Sequence, residues 1–165
     1  MFVLVRHAHA GNKKLWDGDD ALRPLSGRGR QQAAGLVASL REVDVTRLLT
    51  SPYVRCRETL EPLADSLHLT LASWDLLRPD ADVRRLDRRL ADPLLEGAVL
   101  CTHGETLNAL FERWSDKREL VRIGRGTAAG PTAKGAAWIV TTDGERIAAR
   151  YIHPLHVGAR VVAGR

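Results

Sequence analysis

The sequence predicts an α/β domain: a three-layer sandwich in which a mostly parallel sheet carries helices on both faces. Three observations lead there. Short continuous apolar runs recur, as strands covered on both sides require. Segments with helical spacing alternate with them, and several of the runs end in small clusters of polar and charged residues. With 165 residues, 44% of them hydrophobic and 27% charged, the chain fits a single domain spanning 1–165 with a core of its own.

The elements follow in order. Phe2 to Val5 is a short apolar strand that stops abruptly at Arg6-His7, and a loop from Gly11 to Pro24 comes after it. Ser26 caps a helix running to about Leu40, with Ala33, Leu36, Val37 and Leu40 on one face. Arg47 to Thr50 is a second strand ending in Ser51-Pro52, and a helix from about Val54 to Leu67 follows. Leu69 to Trp74 is a third strand, and Val83, Leu86 and Leu90 mark the inner face of another helix. Ala98 to Thr102 is a fourth strand, followed by His103-Gly104 and a helix from Thr106 to Trp114. Ala136 to Val140 and Ile147 to Tyr151 flank Asp143-Gly144 as a hairpin with a two-residue turn. The stretch from Gly124 to Gly135, rich in Gly, Ala and Thr, is the expected mobile loop.

Composition narrows the function classes. The net charge of +5, with arginine far outnumbering lysine, suits an anionic ligand without pointing to nucleic acid. No stretch is long enough to span a bilayer, and Met1 to Val5 is too short for a signal peptide, so a cytoplasmic protein with no membrane partner is expected. Cys56 and Cys101 lack CxxC spacing and read as small buried hydrophobes.

The chemistry lies at strand ends. In open α/β sheets ligands bind beyond the carboxyl ends of strands, and Arg6-His7, Ser51 to Arg55 and His103-Gly104 all fall at such ends. They are expected to converge. Two arginines hold a tetrahedral dianion through forked donors, and two histidines supply a nucleophile and a second donor, a set suited to phosphoryl transfer.

RHA at Arg6 to Ala8, SPYVRCRET at Ser51 to Thr59 and THGE at Thr102 to Glu105 resemble the three signatures of the histidine phosphatase superfamily, in this order and at comparable spacings. The short length and RPLSGRG at Arg23 to Gly29 resemble its SixA-like phosphohistidine phosphatase branch. RHAHAGNKKLWDGDD, VLCTHGETL and KGAAWIV are more similar still to the phosphatase-like domain that follows a Nudix hydrolase in certain actinobacterial proteins. The Nudix part is not among these 165 residues.

The resemblance implies a phosphoglycerate mutase-like fold and a set of roles. His7 attacks phosphorus and becomes a phosphohistidine, Arg6 and Arg55 grip the phosphoryl oxygens, and His103 stabilises their charge. The nitrogen of His7 that does not attack is expected on a backbone carbonyl. No metal and no cofactor is implied. The substrate is a phosphorylated small molecule or phosphoprotein, and the protein is expected to act as a monomer. Ala8 stands where many members have Gly. The acid that protonates the leaving group has two candidates, Asp75 and Glu105.

Other residues carry alternatives. His7-x-His9 could be a metal pair, but nothing completes a ligand set and His9 is expected to face solvent. Lys13, Lys14 and Trp16 either contact substrate or decorate a solvated loop. Arg84, Arg85, Arg88 and Arg89 form the wet face of their helix, and Cys56 is read as core. His153 and His156 lie in a tail without a legible role. Two other functions remain open: a phosphate-binding regulatory module with little turnover, and a phosphoglycerate mutase, disfavoured because the chain lacks that group's insertion and acid.

Overall fold

The computed structural model describes residues 1–117, 119–124 and 132–155. Seven strands form one sheet in the order β3-β2-β4-β1-β6-β7-β5, namely β1 (Phe2–Arg6), β2 (Arg47–Thr50), β3 (Leu71–Ser73), β4 (Ala98–Thr102), β5 (Glu119–Ile123), β6 (Ala137–Thr142) and β7 (Arg146–Ile152). The pairings leave β6 alone running against the other six, so the sheet is mostly parallel as expected.

Helices α1 (Gly27–Ser39) and α2 (Val54–Leu67) cover one face, while α3 (Val83–Arg89) and α4 (Gly104–Lys117) cover the other. Alternation within the central strands splits the core accordingly. Val3, Val5, Val99 and Cys101 pack with Leu36, Cys56, Leu60 and Leu63 on the first face. Phe2, Leu4 and Leu100 pack with Leu86, Leu107, Leu110 and Trp114 on the second. Burying a leucine such as Leu4 or Leu100 contributes about 2 kcal/mol each, which fixes the height of the central strands between the helical layers.

Register then sets where strands end. Arg6 pairs with Thr102 on β4, and Thr50 pairs with Cys101, so β1, β4 and β2 terminate side by side. The reversed strand β6 starts at that same edge, where Arg6 N donates to Ala136 O and Gly135 N donates to the carbonyls of Arg6 and His7.

Several expectations need correction. β3 is confined to Leu71–Ser73, a half-exposed edge strand shorter than the predicted Leu69 to Trp74. α4 begins at Gly104 and runs to Lys117, outreaching the predicted Thr106 to Trp114 at both ends. Asp143, Gly144 and Glu145 join β6 to β7, one residue more than the predicted Asp143-Gly144 turn, with Asp143 N donating to Arg146 O and the Asp143 carboxylate accepting from the amides of Glu145 and Arg146. Strand β5 was not anticipated. Its apolar residues fall on both faces, with Val121 and Ile123 exposed, and Arg122 lies over the Phe111 ring at 5.1 Å, so no clean alternation marks it. Most of the Gly124 to Gly135 loop, and His156, lie outside the described residues. No described helix is long and apolar enough to cross a membrane.

Candidate active site

The three polar clusters meet at the carboxyl edge. His7, Arg55 and His103 are 6%, 4% and 1% exposed, and the two imidazole centroids stand 5.3 Å apart. Arg55 lies in the first turn of α2 and reaches both rings: its Nε donates to His7 Nε2 at 3.2 Å and its Nη2 to His103 Nδ1 at 3.3 Å.

These contacts fix the tautomers. His7 Nδ1 lies 2.8 Å from Ala8 O, and a carbonyl only accepts, so Nδ1 carries the proton and Nε2 presents its lone pair. Burial, reinforced by the positive charges of Arg55 and Arg6 and opposed by the hydrogen bond to Ala8 O, pushes the His7 pKa down to about 3. The ring is therefore neutral at pH 7, as a nitrogen nucleophile must be. His103 Nδ1 accepts from Arg55, so His103 Nε2 is the donor to Ser51 Oγ at 2.9 Å.

The surroundings are built to hold these rings. Thr59 Oγ1 accepts from Ala8 N at 2.9 Å and donates to Arg55 O, tying the strand carrying His7 to the helix carrying Arg55. The Arg55 guanidinium lies over the Tyr53 ring at 4.7 Å, and Tyr53 packs edge-on to His103. Gln32 takes the His9 amide on Oε1 and donates to Lys134 O, which seats the segment before β6 against the chain beyond His7. Gly29 packs so closely that a Cβ there would lie 2.0 Å from His9 O, so only glycine lets α1 approach.

Arg6 lies at the edge of this group. Its guanidinium packs against Gly104, where a Cβ would come within 2.8 Å of Cζ, and Nη1 donates to Thr132 O. Burial lowers its pKa, opposed by the charge of Glu105, and its Nε is buried without a hydrogen-bond partner among the described residues.

Neither expected acid makes a hydrogen bond to His7, His103, Arg55 or Arg6 among the described residues. Glu105 is exposed and acts on Arg6 only through its charge, and Asp75 is exposed at the first residue of a short 3-10 turn, Asp75–Leu77. Asp80 pairs with Arg78, which holds its carboxyl below the usual range, and it also feels His103.

The carboxylate that does reach the site is Asp20, which the sequence did not mark. Its Oδ2 lies 3.2 Å from Arg55 Nη2 and 3.7 Å from Lys13 Nζ, while Oδ1 accepts from Arg23 Nε at 2.8 Å. The only available signal was its place in the loop after β1, facing that sheet edge. Ser51 was marked by the sequence as the start of the second polar cluster, without a role of its own.

The remaining expectations resolve individually. His9 is half-buried rather than turned to solvent, with Nδ1 2.7 Å from Ser26 Oγ, and no cluster of three potential metal ligands occurs among the described residues. Lys14 is exposed, whereas Trp16 bonds Asp19 O and lines, with Arg23 and Leu25, a cleft of about 240 Å³. Arg84, Arg85, Arg88 and Arg89 are exposed as expected. Cys56 is buried in the core, yet its Sγ also lies 3.5 Å from His103 Nε2, and its thiol is pulled down to about 6 by Cys101, His103 and Arg55 against the effect of burial.

Known proteins resemble this chain in sequence and fold. Residues 2–79 match the histidine phosphatase superfamily (branch 1). That stretch carries Arg6, His7 and Arg55. Among curated proteins, the 8-oxo-(d)GTP phosphatase of Mycolicibacterium smegmatis is 35% identical over 160 residues, covering 92% of this chain and 48% of the relative. The chain thus spans about half the length of the curated relative it matches. Among solved structures, the protein histidine phosphatase SixA complexed with tungstate aligns with a TM-score of 0.69 at 21% identity, covering 93% of this chain and 96% of that one. An α-ribazole-5'-P phosphatase from Escherichia coli, described as putative in its structure, aligns with a TM-score of 0.69 at 18% identity, covering 95% and 97%. At these identities the two structures share the fold.

Proposed function

We propose that this domain is a metal-independent phosphatase that works through a phosphohistidine on His7. One observation carries the reading: a buried, neutral imidazole whose Nε2 lone pair faces an arginine, with Nδ1 anchored on Ala8 O. His7 Nε2 attacks phosphorus, the N–P bond forms as the bond to the leaving group breaks, and the departing atom carries the electron pair away. Arg55 and Arg6 hold the phosphoryl oxygens. His103 Nδ1, released from Arg55, takes a proton from solvent water and donates it as a hydrogen bond to the same oxygens. Water then attacks phosphorus, releasing phosphate and returning the lone pair to Nε2.

The 8-oxo-(d)GTP phosphatase of M. smegmatis and the SixA fold both support a phosphorylated substrate, from a nucleotide or small molecule to a phosphoprotein. We favour phosphohistidine, other phosphoramidates and aryl phosphates, because neither Asp75 nor Glu105 contacts the cluster to protonate a basic leaving group. The reading includes one domain over 1–165, acting as a cytoplasmic monomer without nucleic-acid or membrane partners. The same lack of a seated acid favours a second reading, a phosphate-binding regulatory module with little turnover.

Rapid mixing with a labelled aryl phosphate separates them. The phosphatase gives a burst of leaving group and an acid-labile, alkali-stable protein phosphate. His7→Ala, folded by circular dichroism, loses both and several orders of magnitude in turnover. Binding without a burst supports the regulatory module, and wild-type-like turnover in His7→Ala excludes the covalent mechanism.

A further inference from the structure

We propose that Asp20 is a specificity-determining residue, an internal anion that occupies the phosphoryl-facing edge of Arg55 and that an incoming dianion must displace. The inference rests on the reading of Arg55 as the phosphoryl clamp.

The geometry is that of an anion already seated. Arg55 Nη2, the nitrogen that also touches His103, donates to Asp20 Oδ2, and Arg55 Nη1 donates to Asp20 O at 2.7 Å. The same carboxylate is gripped by Arg23, itself buried and bonded to Ala10 O, and faces Lys13. A phosphoryl oxygen needs the donors that Asp20 now holds, and two anions cannot share one guanidinium edge at full strength.

Exchange is nonetheless cheap. When Arg55 turns to a phosphoryl group, Asp20 keeps Arg23 and Lys13 and is not left as an unpaired anion. Asp20 is also dispensable to its own segment, since the turn at Asp20–Leu22 is capped by the Asp19 side chain on Ala21 N. The consequence is selection by charge: a dianion repays the loss of the Asp20 contact, whereas a singly charged ligand competes poorly with a carboxylate that is covalently present.

Calorimetric titration with sulfate at pH 7, a dianion throughout the neutral range, tests this on the full chain. Asp20→Asn and Asp20→Ala are expected to bind sulfate about tenfold more tightly than the parent, as removal of one charge-assisted contact implies. Asp17→Asn removes a charge from the same segment without touching Arg55 and sets the baseline, expected within about twofold of the parent. Unchanged or weaker binding in both Asp20 variants, or a gain no larger than that of Asp17→Asn, overturns the proposal. Arg55→Gln separates the two layers: at least a tenfold loss upholds the clamp whatever Asp20 does, whereas parent-like affinity removes the clamp reading and this proposal with it. Thermal unfolding of each variant confirms that folded protein is compared.

Discussion

Arg55 donates its Nε–H to Nε2 of His7 across 3.2 Å, so the atom proposed to attack phosphorus rests on the residue proposed to orient the phosphoryl group. Proposed nucleophile and proposed clamp are thus joined by a single side chain rising from the first turn of α2.

Arg55→Lys tests that coupling. Lysine keeps the charge but loses the fork that reaches His7, His103 and the phosphoryl oxygens together, so kcat/KM for an aryl phosphate should fall about a hundredfold or more. Phosphate or vanadate should inhibit the parent competitively. Retained activity would place Arg55 outside the chemistry.

Acid sensitivity should trace to His7. Its folded pKa of about 3 lies below the ordinary 6.5, so between these values the unfolded chain binds a proton that the folded chain refuses. Stability present above pH 6.5 is thus lost as pH falls toward 3. Urea unfolding at pH 7 and pH 4 should show His7→Asn losing about 3 kcal/mol less than the parent between the two conditions. Equal losses would mean that the ring is not held neutral by burial.

Ser51→Ala removes the acceptor of His103 Nε2–H at a buried position. The ring loses its orientation toward Arg55, and kcat should drop about tenfold to a hundredfold with a smaller change in KM. Ser51→Thr, which keeps the hydroxyl, should recover part of the rate. A purely structural role would instead lower the melting temperature and leave kcat unchanged in the folded fraction.

Leaving-group dependence should be steep. Phosphoramidates and aryl phosphates should outrun alkyl phosphates by a wide margin, and the rates should survive EDTA. Asp75→Asn and Glu105→Gln are expected to leave the series unaltered, since neither carboxylate contacts the cluster. Selective loss of alkyl-phosphate activity in either variant would identify the missing acid, and a flat series in the parent would show that an efficient acid operates.

The frame of the site was legible because it is written locally. An apolar strand breaking at Arg6-His7, and another at Thr102-His103, place side chains at a sheet edge, and parallel neighbours bring those edges together. Asp20 was not legible, since its approach depends on how a loop of short 3-10 turns folds back onto α2, and no periodicity encodes that path. Strand β5 escaped for a related reason. At an edge, Val121 and Ile123 remain exposed on either side of Arg122, so the continuous apolar run that burial on both faces imposes on β1 and β4 is broken. Asp75 stands out in the sequence by its place after the third strand and Glu105 by its place in THGE, and such positions say nothing of side-chain direction.

The position of β1 between β4 and β6 bears on the order in which the molecule can assemble. On the ribosome, Val3 emerges long before Val99, its partner on one side, and longer still before Ile139, its partner on the other. A segment as apolar as Phe2 to Val5 must wait until β4 and then β6 have been made, and closing such distant pairings is slow. The contacts that seat Gly135 on the carbonyls of Arg6 and His7 therefore close last, after the strand that leads into His7 and the helix that holds Arg55 have both been made.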